Sequence, residues 1–192
     1  MIKDSGTRRT FGSGDNAPVR DMGLNKGRFD LIPLDVMAAV MDDGVIGWVA
    51  QFEEVPDVSA LYGAIEVFCE KAYGGNKNIM MLEVAKHFEE GCNKYGERNW
   101  QSGDGIPVWC FIDSALRHYV KWLDGQADEN HDRAVVWNLM CGIWTYTHKV
   151  YGISEAEAVI EDIPDHIDEL TIPAERFDEI DLDNIDDLLP LE

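Results

Sequence analysis

Between Glu89 and Asn138 the chain concentrates carboxylates, histidines, arginines and amides in three blocks. The first is Glu89-Glu90-Gly91-Cys92-Asn93-Lys94-Tyr95-Gly96-Glu97-Arg98-Asn99-Trp100. The second is Asp113-Ser114-Ala115-Leu116-Arg117-His118. The third is Asp128-Glu129-Asn130-His131-Asp132, with Trp137-Asn138 following it. The surrounding sequence reads as buried helix, where such groups cost free energy unless each meets a partner. A metal ion and a phosphorylated ligand are partners of the right chemistry.

Hard cations such as Mg2+ and Mn2+ take oxygen ligands, chiefly carboxylates. Candidate metal ligands are Glu89, Asp113, Glu129 and Asp132, with Glu90 beside the first. Glu129 and Asp132 are three apart, so both project to one side of a helical turn. Lys94, Arg98, Arg117 and Lys121 are candidate phosphate contacts, and the arginine fork suits phosphate especially well. Arg117 also lies four residues after Asp113, so a structural ion pair competes with ligation there. Asn99 and Asn138 carry amides able to read a base or sugar edge. Trp100 and Tyr95 could stack on a base or fill the core. His118 and His131 could be ligands, proton carriers or supports for ligands. Arg117-His118 with His131-Asp132 also fits the start of an HD-type phosphohydrolase pattern, whose last aspartate would be Asp162 or Asp165. No cysteine has a context that would activate it as a nucleophile.

These residues must be positioned by helices. Residues 78–95 form the clearest amphipathic pattern, with Met81, Val84, Ala85, Phe88, Cys92 and Tyr95 on one face. That phase puts Glu89 at the inward edge and Glu90 in solvent. A Gly-bounded loop leads to a predicted helix at 108–123, and an acidic turn to another at 131–150. On the latter, His131, Ala134, Asn138, Gly142 and Thr145 form a small, polar face, suited to a close ligand or to a tight helix contact. Upstream, Pro33 suits the start of a helix over 34–41. Val45 to Phe52 reads as a short strand or a helix, and 59–72 as a helix ended by Gly74-Gly75. Residues 1–34 show no period and read as an extended, loop-like lead-in.

The 192 residues fit one domain with a tail. Net charge is −21, and residues 151–192 hold 15 acidic residues against one basic, Arg176. That field disfavours extended nucleic acid but not a single nucleotide in a locally cationic pocket. The acidic tail, 154–192, alternates with Ile, Leu and Phe; it is expected either to be solvated or to dock. The four cysteines, Cys69, Cys92, Cys110 and Cys141, include no CxxC pair and are expected to be reduced thiols in a cytoplasmic protein. No apolar run reaches the roughly 20 residues of a membrane span.

The series Lys26-Gly27-Arg28-Phe29-Asp30-Leu31-Ile32-Pro33, Glu89-Glu90-Gly91 with Lys94-Tyr95-Gly96 and Arg98-Asn99-Trp100, Asp113-Ser114-Ala115 with Arg117-His118, and Asp128-Glu129 with His131 and Trp137-Asn138 resembles the phage dATP/dGTP diphosphohydrolases. These MazZ-type enzymes are related to the all-α MazG-like nucleotide pyrophosphohydrolases. The likeness covers about residues 18–145 and is interrupted by 41–77, which look like an insertion. It implies an all-α, MazG-like helical bundle over 1–153, with an extended lead-in and the acidic tail. It also implies Mg2+- or Mn2+-dependent hydrolysis of dGTP and dATP to the monophosphate and pyrophosphate. In phages that use 2-aminoadenine, the dGMP feeds the modified nucleotide; the enzyme would then work in the host cytoplasm. A homo-oligomer is expected. The MazG-like pattern of ExxE then ExxD is met only by Glu129-Asn130-His131-Asp132, since Glu89 is followed at that spacing by Cys92. The resulting expectation places Glu89, Glu129 and His118 in catalysis. Arg28, Lys94, Arg98, Asn99, Trp100, Arg117, Lys121, His131 and Asn138 would contact the substrate. The alternatives are an HD-type triphosphohydrolase and a non-enzymatic acidic phage interaction protein working through its tail.

Overall fold

The structure, a computed structural model, describes residues 8–10, 19–21, 26–103 and 105–149. The chain divides into two units, Met1–Ile153 and Ser154–Glu192, and every described residue belongs to the first. The acidic tail, with Asp162 and Asp165, lies outside the described residues. The fold is all-helical apart from a small ribbon near the N-terminus. There β1 (Arg8–Thr10) and β2 (Val19–Asp21) pair antiparallel, with Arg9 opposite Arg20. The lead-in therefore contains regular structure that its aperiodic sequence did not announce. Two strands of three residues are too short to show a period of two.

A 3-10 turn at Phe29–Leu31 leads into α1 (Leu34–Met41), whose N-cap is Pro33. Next comes α2 (Gly44–Glu54), so the ambiguous segment from Val45 to Phe52 is helical. Asp43 decides this locally, because its carboxylate accepts the backbone N–H groups of Val45 and Ile46. The same carboxylate accepts the Tyr119 hydroxyl at 2.6 Å and Lys71 Nζ at 2.7 Å. One cap thus ties three helices together. Asp57 caps α3 (Val58–Tyr73) through the Ser59 N–H, and Gly74 ends it at φ 57°, where a side chain would be strained. Gly63 lets α2 and α3 touch, since a Cβ there would stand 2.7 Å from a ring carbon of Trp48.

Asn76 caps α4 (Lys77–Tyr95), followed by a 3-10 turn at Asn99–Gln101, α5 (Val108–Leu123) and α6 (His131–His148). α5 packs most extensively on α6, while α3 and α4 lean on α6 and α1 covers α2. Segment 41–77 supplies α2 and α3, and with them Val45, Ile46, Phe52, Leu61, Ile65 and Phe68 of the main core. Each such side chain contributes roughly 1.5–3 kcal/mol on burial. The residues read as an insertion therefore carry a large part of the hydrophobic interior.

The phase of α4 differs from the sequence expectation. Its buried residues are Met80, Val84 and His87, whereas Met81 and Ala85 are exposed. The reason is that α4 docks on α6 through charge as well as apolar contact. Buried Arg133 donates to Glu90 at 2.6 Å and lies 4.0 Å from Glu83. This rotates the helix, so that Glu90 faces α6 and Glu89 becomes the exposed one. No helix among the described residues is long and apolar enough to cross a membrane.

Candidate active site

In the second half of the predicted apolar stripe, Phe88, Cys92 and Tyr95, Phe88 meets Trp137 of α6 edge-on at 5.8 Å between ring centroids. The three residues form one wall of a cavity of about 590 Å³. α4 adds Glu89 to that wall, and the loop after α4 adds Arg98, Asn99 and Trp100. α5 contributes Ser114, Arg117 and His118, and α6 contributes Trp137 and Asn138; Glu129 lies on the turn just before it. The volume falls within the roughly 300–1,000 Å³ of small-molecule sites. Of the residues expected from sequence, Glu89, Arg98, Asn99, Trp100, Arg117, His118, Glu129 and Asn138 are thus brought together by five separate segments.

Others are placed elsewhere. Glu90 is held by Arg133. Asp132 accepts the Tyr73 hydroxyl at 3.0 Å and is not part of the group formed by His118, Glu129 and His131. Asp113 is buried, accepting the Phe29 N–H at 2.8 Å and Arg117 at 2.6 Å. The structural pair that its spacing allowed is therefore formed. None of these three carboxylates lines the cavity. Arg28 pairs with Asp30 and lies over the Trp109 ring at 4.7 Å from its centroid. Lys94 lies over Tyr95 at 5.0 Å, and Lys121 pairs with Asp128 at 3.1 Å. The lead-in reaches the cavity through Lys26 rather than Arg28. Sequence reasoning also missed His87, Ser114 and Gln101 as lining residues. Ser114 and Lys26 sat inside blocks already singled out; His87 carried no signal beyond its helix phase.

At the α5–α6 end, His118 Nδ1 lies 2.9 Å from His131 Nδ1 and 4.0 Å from a Glu129 carboxylate oxygen. One candidate ligand atom from each of these three residues falls within 4.8 Å of the others. His131 is 2% exposed, and its Nε2 meets Asp128 at 2.8 Å. His131 and Lys121 hold the Asp128 carboxyl below the usual carboxylate range. The small-residue face of α6 thus serves two purposes. Gly142 faces α5, where a Cβ would make an ordinary contact with Phe111 Cβ at 3.5 Å, while Asn138 lines the cavity and His131 meets His118.

Arg98 adopts φ 50°, a left-handed conformation that is uncommon for a non-glycine residue, at the start of the Asn99–Gln101 turn. Such local strain is held where the surroundings over-determine it, here at the cavity rim.

His87 lines the inner wall, 9% exposed, with its Nδ1 lacking a hydrogen-bond partner among the described residues. Burial first, and then the Arg133 charge, lower its pKa from 6.5 to about 4. The group is neutral in the fold and more basic when unfolded. Its contribution is therefore intact above pH 6.5 and is lost as pH falls towards 4. The shift corresponds to about 3 kcal/mol of stability at most. Urea unfolding at pH 7 and at pH 4 should show this loss in the parent and a smaller one in His87→Leu. Equal losses in both would remove His87 as the cause.

No curated protein and no solved structure matches the chain. Residues 77–152, which carry α4 to α6 and most of the cavity wall, match the family model described as dATP/dGTP diphosphohydrolase, N-terminal, and it is to that family that this part of the chain is similar.

Proposed function

We propose that the cavity binds a deoxypurine triphosphate, dGTP or dATP, and hydrolyses it to the monophosphate and pyrophosphate. The observation that carries this is the composition of one cavity inside the matched segment. Cationic Lys26, Arg98 and Arg117, carboxylates Glu89 and Glu129, and the rings of Tyr95, Trp100 and Trp137 share it. Cations hold phosphates, carboxylates handle metal and proton, and rings flank a base. The local cations also explain how so acidic a chain admits a polyanion.

The carboxylates on the wall fit a divalent cation such as Mg2+ or Mn2+. When bound, that cation offsets phosphate charge and polarises the attacking water. The chain does the rest. Arg117, anchored by Asp113 and Ser114, presents a fixed guanidinium; Arg98 and Lys26 add charge from flanking segments. Water attacks the α-phosphorus, a new O–P bond forms, and the bond to the bridging oxygen breaks. Pyrophosphate leaves with that oxygen, and Glu89 accepts the proton of the water. Trp137 and Trp100 exclude bulk water from the base. In the same reading the protein is a phage enzyme related to MazG-like pyrophosphohydrolases, assembles as a homo-oligomer and works in the host cytoplasm. Its dGMP would then feed 2-aminoadenine nucleotide synthesis.

The test is to incubate the full chain with each dNTP and each metal, and to resolve the products. Expected are dGMP or dAMP with pyrophosphate, and slower turnover of pyrimidine nucleotides. Deoxynucleoside with inorganic triphosphate would overturn this reading in favour of the HD-type one. No hydrolysis under any condition would overturn it in favour of a binding protein.

A further inference from the structure

We infer that His118, His131 and Glu129 form a resident two-histidine, one-carboxylate site for a divalent transition metal, such as Mn2+, Fe2+, Co2+ or Zn2+. This site would hold its metal without a triphosphate, and it shares Glu129 with the carboxylates of the cavity wall. It deepens the hydrolase reading but does not depend on it, because the argument is geometric.

The first observation is the pair of imidazoles. Their Nδ1 atoms are 2.9 Å apart, and the rings are tilted by 42° rather than stacked. Two neutral nitrogens at that distance repel unless a proton or a cation lies between them. Two ligands at right angles on a metal with bonds of about 2.1 Å stand about 3 Å apart, so the pair already has the spacing of adjacent ligands.

The second observation concerns His131 alone. It is 2% exposed, and Asp128 faces its Nε2 at 2.8 Å. A carboxylate at Nε2 takes the ring N–H there and leaves Nδ1 as the lone pair turned towards His118. A carboxylate behind a histidine is the usual support for a metal-binding imidazole, because it sets both tautomer and orientation. Lys121, bonded to Asp128 at 3.1 Å, holds that carboxylate in turn.

The third observation is access. His118 and Glu129 line the cavity, so coordination positions left open by the protein face the space a ligand would occupy. Glu129 lies two residues before His131 in the turn, and one of its carboxylate oxygens already stands within 4.8 Å of a nitrogen of each histidine. Imidazole suits first-row transition metals, whereas Mg2+ prefers oxygen and gives up its water reluctantly. The chemistry of these ligands therefore selects against Mg2+ at this position.

The experiment uses the full chain, stripped with a chelator and titrated with Co2+, Mn2+ and Mg2+. Visible absorption of Co2+ and calorimetry are the readouts. One Co2+ per chain is expected, with d–d bands shifted by nitrogen ligands and an affinity at least ~100-fold above that for Mg2+. His118→Ala, whose side chain is partly exposed, should keep its fold and lose at least ~10-fold in affinity. Asp128→Asn should weaken binding ~10-fold through the His131 tautomer. Thermal unfolding of each variant without metal checks the fold, and at one Co2+ concentration the wild-type melting temperature should rise more than that of either variant. Equal Co2+ binding by wild type and His118→Ala, or binding no tighter than Mg2+, would overturn the site. Loss of the site alongside normal dGTP cleavage in Mg2+ would leave the hydrolase reading standing. Metal binding without any hydrolysis would do the reverse.

Discussion

Glu129→Gln is expected to lower kcat/KM for dGTP at least ~100-fold, or about 2.7 kcal/mol of transition-state stabilisation. The substitution keeps the side-chain shape and removes its charge. Glu129 lines the cavity and lies 4.0 Å from His118 Nδ1, so in the proposed reaction its charge would act on a metal held by the histidines and on the phosphate. A structural carboxylate at the rim would behave differently, because an exposed surface charge contributes only about 0–1 kcal/mol. Glu89→Gln should produce a comparable fall in kcat without weakening Co2+ binding, since Glu89 lies on α4 and outside the histidine group. Steady-state kinetics at saturating metal separate the two. Activity of Glu129→Gln within threefold of the parent would exclude Glu129 from the chemistry.

Asp113→Ala is expected to destabilise the fold by about 3–5 kcal/mol, the cost of leaving one member of a buried ion pair alone. Asp113 receives Arg117 from one turn later and the Phe29 N–H from the lead-in. Its loss leaves a guanidinium that is 14% exposed without its charge partner, held by Ser114 alone of the two, and removes the acceptor of the Phe29 N–H. Asp113→Asn should cost less, because an amide oxygen can still accept the Phe29 N–H. Chemical denaturation measures both. A loss below 1 kcal/mol in Asp113→Ala would show that the lead-in is held by other contacts. This residue had been a candidate metal ligand. Its two donors explain why a carboxylate stands buried on α5 without facing the cavity.

The composition of the site was legible in the sequence, and its geometry was not. The polar blocks stood out because polar groups in helical segments need partners. Eight of the residues singled out on that ground do meet in one cavity. Outside α2, helix positions were legible too, because breakers such as Gly74 act within a few residues. Which carboxylate faces inward was not. A periodicity of 3.6 assigns a face but cannot say what the face meets. On α4 the apolar stripe meets a cavity at its later end, while at the other Val84 is buried but Met81 and Ala85 are exposed, and Arg133, 43 residues after Glu90, holds Glu90 towards α6. The same limit applied to Asp113 and Asp132, whose partners Phe29 and Tyr73 lie 84 and 59 residues away. Sequence alone therefore determined the helical class, the approximate ends of the helices other than α2 and the stock of chemical groups, all products of local interactions. The tertiary structure decided which groups pair with each other and which stay turned to the cavity, because those choices depend on contacts between segments far apart in the chain.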